Sequence, residues 1–169
     1  MKEYISIIIS IVSLTVSIIT LIYSLITNSK RVSLLINYYT CIRIEKGNYY
    51  DFDVIISNES RIPISINSIE MVYGKEKYKF IKSPRNIITN KDIKTNVERK
   101  VNSDLFPITI NSSSSKHCFI SVYGPETINK EKVVFNIYTN RGLLKSKIEL
   151  NNYYVEPEEF ANEVMHYLN

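Results

Sequence analysis

The stretch YISIIISIVSLTVSIITLIYSLIT, residues 4–27, contains no charged residue. About 20 consecutive apolar residues suffice to cross the hydrocarbon core of a bilayer. This run divides the chain into a segment suited to lipid and a remainder that must fold in water. A cleaved signal peptide has a shorter apolar region and a small-x-small cleavage site. Here the apolar run continues to Ile26, and the flanking SLITNSK offers no such site. The expectation is an uncleaved single-pass transmembrane helix over 4–27, after a short flank at 1–3.

The hydroxyls in this run follow a rule. Ser6, Ser10, Ser13, Ser17, Thr20, Ser24 and Thr27 are spaced by alternating steps of four and three, and only Thr15 is out of register. That is a heptad a/d stripe on one helix face, the geometry of a left-handed helix–helix crossing. Small residues let backbones approach closely in lipid, and hydroxyls can hydrogen-bond across the contact. Serine and threonine can also bond back to a carbonyl one turn earlier, which accounts for their presence but not their register. The stripe Ser6, Ser10, Ser13, Ser17, Thr20 and Ser24 is therefore expected to pack against a second copy of the chain or another membrane protein.

Lys2 and Glu3 precede the run, whereas Lys30, Arg31 and Arg43 follow it. Basic residues set orientation and acidic ones count little, so the C-terminal part is expected in the cytoplasm. Thiols there are reduced. Cys41 and Cys118 allow at most one disulfide and match no zinc spacing. They are read as ordinary part-buried thiols, with a disulfide as the alternative outside the cytoplasm.

After a linker at 28–32, the hydrophobic period falls from 3.6 to 2. Residues 32–45, rich in β-branched and aromatic types, predict a long first strand. Strands are also expected at 49–57, 64–73, 74–82, 105–111 and 117–124, with a hairpin over 132–150 turning at Asn140, Arg141 and Gly142. The apolar phase slips at Asn67–Ser68, which predicts a bulge. Residues 83–104 show no sustained period and predict a long loop with one short strand near 96–101. Strands without interleaved helices imply an antiparallel sandwich with Greek-key connections. The tail returns to a helical period. Pro157, Glu158 and Glu159 suit a first turn, and Phe160, Val164 and Leu168 make one apolar face, expected to dock on the sandwich or on a partner. The predicted fold is mainly β: a transmembrane helix, an immunoglobulin-like β-sandwich over 33–152, and a C-terminal helix over 153–169.

The hydroxyl-striped helix, SKRVSLLI, VIISNESRIPISINSIEM, LFPITINSSSSKHCFISVYG and the TNRGLLKSKIEL hairpin together resemble small membrane-anchored immunoglobulin-like proteins of bacteria and their mobile elements. The resemblance implies the fold and the anchor and lends no activity.

Signs of chemistry are few. There is no phosphate-binding glycine motif, no H-E-x-x-H and no G-x-S-x-G, so no catalytic, cofactor or metal residue is assigned. His117 adjoins Cys118, but neighbours in a strand point to opposite faces and cannot share a proton. Asp51 and Asp53 share a face, as a paired-carboxylate site requires, yet their place near a strand start predicts a solvated pair. Ser112–Ser115 reads as a solvated turn.

One charge pattern stands out. From Lys75 to Val101 there are nine basic residues against three acidic ones, while the whole chain has a formal net charge of only +4. Lysines there can deter edge-to-edge pairing of strands. A basic segment tethered at an anionic leaflet can also gain about 1 kcal/mol per well-placed cation. Lys82, Arg85, Lys91, Lys94, Arg99 and Lys100 are the candidate contacts to an anionic surface. The resulting expectation is a non-catalytic membrane-anchored interaction module. The alternative is an accessory or sensor subunit whose basic loop binds anionic lipid or nucleic acid.

Overall fold

The computed structural model describes residues 2–27, 32–91, 98–124, 128 and 132–167. Helix α1 (Lys2–Thr27) is unbroken, and every residue from Tyr4 to Ser24 is exposed. It is long and apolar enough to cross a membrane, and it does not bury its length against the rest of the chain.

The body is an antiparallel sandwich. One sheet has the order β1-β2-β8, from β1 (Val32–Ile44), β2 (Gly47–Asn58) and β8 (Ser114–Gly124). The other runs β10-β9-β3, from β3 (Ile64–Tyr73), β9 (Lys132–Thr139) and β10 (Gly142–Glu149). The second edge of β3 is shared by β4 (Glu76–Lys79) and β7 (Ile108–Ile110). Period-2 alternation sends Phe52, Val54 and Ile56 of β2 toward Ile66, Ile69 and Met71 of β3 and Val133, Phe135 and Ile137 of β9. Phe52 is the hub, with ring centroids 5.5 Å from Tyr39, 5.7 Å from Phe80 and 5.8 Å from Phe135. The antiparallel sandwich with a helix at each end is the predicted fold class. The bulge also falls where the phase slip placed it, between Ile66 and Ser68.

The structure differs from the sequence-based expectation in three places. The expected long loop also contains a strand ahead of the short one expected near 96–101: β5 (Asn86–Lys91) pairs with β6 (Glu98–Asn102), and residues 92–97 between them lie outside the described residues. The strand expected over 105–111 is reduced to three residues of β7. Ser114, expected in a turn, opens β8, because Ser114, Ser115 and Lys116 pair with Asn58, Ser57 and Ile56.

A third layer lies on the sandwich; the docking of the C-terminal helix was expected, and the hairpin beside it was not. The outer face of the β1-β2-β8 sheet is covered by the β5–β6 hairpin and by α2 (Pro157–Tyr167). Phe160 and Val164 of α2 meet Ile88, Val101 and Phe119 there. Leu168, the third residue of the predicted apolar face, lies outside the described residues. With both faces covered, β2 is buried without a break from Tyr50 to Val54.

Strand direction defines two ends. Val32 pairs with Asn58, Asn58 with Ser114, Ile64 with Ile110, and Ile66 with Thr139. Loops 59–63, 111–113 and 140–141 therefore gather at the near end, where the chain enters from α1. The buried Asn58 amide ties the first two together, donating to the carbonyls of Ile62 and Asn111, both at 2.9 Å, and accepting from the Ser60 N–H at 3.0 Å. The turns after β1 and β3, at 45–46 and 74–75, lie at the far end.

Candidate functional site

The sequence singled out three sets of residues. The first is the stripe on α1. Ser10 Oγ donates to the Ser6 carbonyl at 2.9 Å, Ser17 Oγ to Ser13 at 2.8 Å and Thr20 Oγ1 to Val16 at 2.8 Å. Thr15, out of register, does the same to Ile11. These hydroxyl protons are used inside the helix. Toward a neighbour, such positions offer small size and oxygen lone pairs rather than donors.

The second set is the basic window. Lys75, Lys77, Lys79 and Lys82 are exposed on and around β4 at the far half of the sandwich. Arg99 and Lys100 are exposed on β6, where Lys100 pairs with Glu98 at 3.3 Å. Lys94 lies outside the described residues, as does the side chain of Lys91. Arg85 is placed differently from the rest of the group. Its guanidinium pairs with the fully buried Asp51 carboxylate and lies 4.1 Å from the centre of the Tyr49 ring. Arg85 is thus engaged internally, with 19% of its side chain exposed. It holds the hairpin on the sheet instead of facing an outside surface.

The third set is Asp51 and Asp53. They do share a face, but both are completely buried, because the hairpin and α2 lie over them. The solvated-pair expectation is corrected on that ground. A buried carboxylate is tolerated only with compensation, and each Asp has its own partners. Asp51 takes Arg85 and accepts from Ser121 Oγ. Asp53 Oδ1 meets His117 Nε2 at 2.5 Å and accepts from Asn37 Nδ2 at 3.0 Å. Asn37 reaches it because the register of β1 shifts there, between Ile36 and Tyr38.

The base of the hairpin is sewn down around Arg85. Arg85 N–H donates to Ser103 Oγ at 2.9 Å, and Ser103 N–H returns a bond to the Arg85 carbonyl at 2.8 Å. The Phe119 N–H donates to Asp104 Oδ2 at 2.9 Å. Beside Asp51, between the sheet, the hairpin and α2, lies a cavity of about 220 Å³. Thr40 and Asp51 form its polar floor, and Ile42, Ile87, Ile88 and Phe160 wall it. Thr40 Oγ1, in a residue only 1% exposed, has no hydrogen-bond partner among the described residues.

Each Asp faces its own cationic or imidazole partner instead of sharing a proton with the other. His117 and Cys118 point to opposite faces, Cys118 into the sandwich core and His117 toward Asp53. Burial raises the Cys118 thiol to about 12, which suppresses the thiolate a nucleophile requires. The Cys41 thiol is also raised, chiefly by burial, and both cysteines are free. Among the described residues, no three His, Cys, Asp or Glu side chains come together as metal ligands would.

Sequence reasoning missed the Asp51–Arg85 pair. Its signal was indirect: the apolar face of the tail and Ile87–Ile88 both needed a surface to cover, and the outer face of β2 was available. No protein-family model matches the chain, and comparison with curated proteins finds no similar one.

Proposed function

We propose that the protein is a non-catalytic membrane-anchored interaction module. In this reading α1 spans the bilayer and associates laterally, with another copy or another membrane protein, and the sandwich is held at the cytoplasmic surface for a partner. The carrying observation is the seven-residue hydroxyl stripe on a helix in which no residue from Tyr4 to Ser24 is buried by the rest of the chain. Because three of its hydroxyl protons are bound within the helix, close packing supplies the association. Interhelical hydrogen bonds of about 0.6 kcal/mol each are a minor contribution.

The test is an in-membrane association assay on full chains. Replacing Ser10, Ser13 and Ser17 by Leu separates the backbones and is expected to abolish association while leaving insertion intact. Replacing Ile8, Ile11 and Ile18 by Leu is expected to leave association unchanged. Equal association of the serine variant and the parent would remove the stripe from the account.

The exposed Lys75, Lys77, Lys79 and Lys82 favour a second reading, an accessory subunit that binds an acidic ligand through this segment. Salt-sensitive binding of anionic vesicles or oligonucleotides, lost on replacing these lysines by Ser, would select it.

A further inference from the structure

The anchoring reading leaves open which part of the sandwich meets the bilayer. By count the obvious choice is the lysine-rich window, but strand direction argues against it. Val32 follows Thr27 by five residues, so the near end lies within about 17 Å of the helix end. Strand β1 then runs away from that point for 13 residues, or about 40 Å at 3.3 Å per residue. Lys75 sits at the turn after β3, at the far end. Lys82 lies level with Ser121 and Thr40, because the Ile81 N–H donates to the Ser121 carbonyl and Ser121 pairs through Asp51 to Thr40. That is eight residues along β1, about 26 Å from Val32. Charges attract across about 8–10 Å at ordinary salt. In an upright domain, these lysines are therefore too far away to feel a leaflet.

The near end has a different character. Its loops carry Arg61 and Arg141, and the tether supplies Lys30 and Arg31, against the single acid Glu59. Apolar side chains stand out beside them: Ile62 is 37% exposed and Leu143 43%. The loops bearing Arg61, Ile62 and Arg141 are fixed to one another through Asn58, Ser60 and Ser65. The Ser113 N–H bonds the Ser60 carbonyl at 3.0 Å and the Asn140 N–H the Ser65 carbonyl at 2.9 Å. One contact sets the depth. The Arg61 guanidinium lies 5.6 Å from the centre of the Tyr23 ring. Tyr23 is in the last turn of the span Tyr4–Ser24, where tyrosine marks the interface between hydrocarbon and headgroups. A guanidinium over that ring is at headgroup level, with phosphates as its natural counterions.

We propose that the near end of the sandwich, through Arg61, Arg141, Ile62 and Leu143, rests on the headgroups of an anionic bilayer. The domain stands upright, and its lysine-rich segment is held from about 26 Å at Lys82 to about 40 Å at Lys75 from the near end, free for another partner. This rests on α1 spanning the membrane, and the test separates the two ideas. The chain contains no tryptophan, so single replacements report position without background. Three full-length variants, Ile11→Trp, Ile62→Trp and Lys75→Trp, are reconstituted in phosphatidylcholine–phosphatidylglycerol vesicles containing brominated lipid. Tryptophan at 11 is expected to be quenched by bromines deep in the acyl chains. At 62, emission is expected to shift to the blue, with quenching by bromines near the headgroups. At 75, only aqueous iodide is expected to quench. Adding Arg61→Glu and Arg141→Glu to Ile62→Trp is expected to lower lipid quenching roughly twofold or more, as is high salt. Quenching at 11 without quenching at 62, or lipid quenching at 75, overturns the upright orientation. Absence of quenching at 11 overturns the anchor itself. Unchanged quenching at 62 in the glutamate variant overturns the assignment of headgroup recognition to the arginines.

Discussion

Removing Arg85 tests the third layer most sharply. In Arg85→Met, Asp51 stays completely buried with Ser121 as its remaining partner from the present pair. Breaking one side of a buried ion pair costs about 3–5 kcal/mol, because the surviving charge is uncompensated. Arg85 is 19% exposed, so water can reach part of the site and the lower half of that range applies. About 3 kcal/mol is a large share of the roughly 5–15 kcal/mol that keeps a typical domain folded. Converting the whole cluster, as Asp51→Leu, Arg85→Met and Ser121→Ala together, removes the ion pair and its hydroxyl partner without leaving either charge alone. That triple variant is expected within about 1 kcal/mol of the parent, since apolar replacement of buried pairs is often neutral. Denaturant unfolding of the full chain in detergent micelles measures both. Hydrogen exchange then separates global loss from detachment of the hairpin, because Arg85 sits at its base. Amides of β5 and β6 should exchange first in the single variant. A single variant within about 0.5 kcal/mol of the parent, with the hairpin amides still protected, would refute the view that this pair pins the layer.

Two further outcomes follow from the burial of titratable groups. Cys118 and Tyr39, both raised to about 12, chiefly by burial, hold their protons more tightly folded than unfolded. Their contribution is complete below their ordinary values of 9.0 and 10.0 and is lost as pH rises toward 12, so stability should fall across that alkaline window, as pH-dependent unfolding can measure. The native thiols should react slowly with impermeant reagents on either side of a membrane. Lys75→Cys, at the exposed far turn, should label only after cells are opened, and labelling in intact cells would place the domain outside.

The sequence made the helix and the sandwich legible because each depends on local periodicity. The uncharged run, the alternation in β2 and β9 and the slip at Asn67–Ser68 can all be read without knowing what lies opposite. Residues 83–104 could be read that way only in part. Ile88 is buried by α2, which is far along the chain, so no local alternation marks β5 as a strand, whereas β6 falls where the short strand near 96–101 was expected. Asp51 failed for the same reason. A carboxylate at alternate positions looks like a solvated face until a third layer and Arg85 are known to cover it. The near end was missed because the large basic cluster at 75–101 outnumbers the two loop arginines, and only strand direction shows which end faces the helix.

Association of α1 through its hydroxyl face can be read out by a cysteine cross-linking scan along the helix. Single cysteines are placed at each position from 6 to 20 of the full chain in native membranes, with Cys41 and Cys118 replaced by Ser and Val. Cross-linking maxima are expected at positions 6, 10, 13, 17 and 20, with minima at 8, 11 and 18. If the stripe meets another protein's helix, the cross-linked product has a heterodimer mass with the same maxima. A flat profile, or maxima on the isoleucine face, would contradict it.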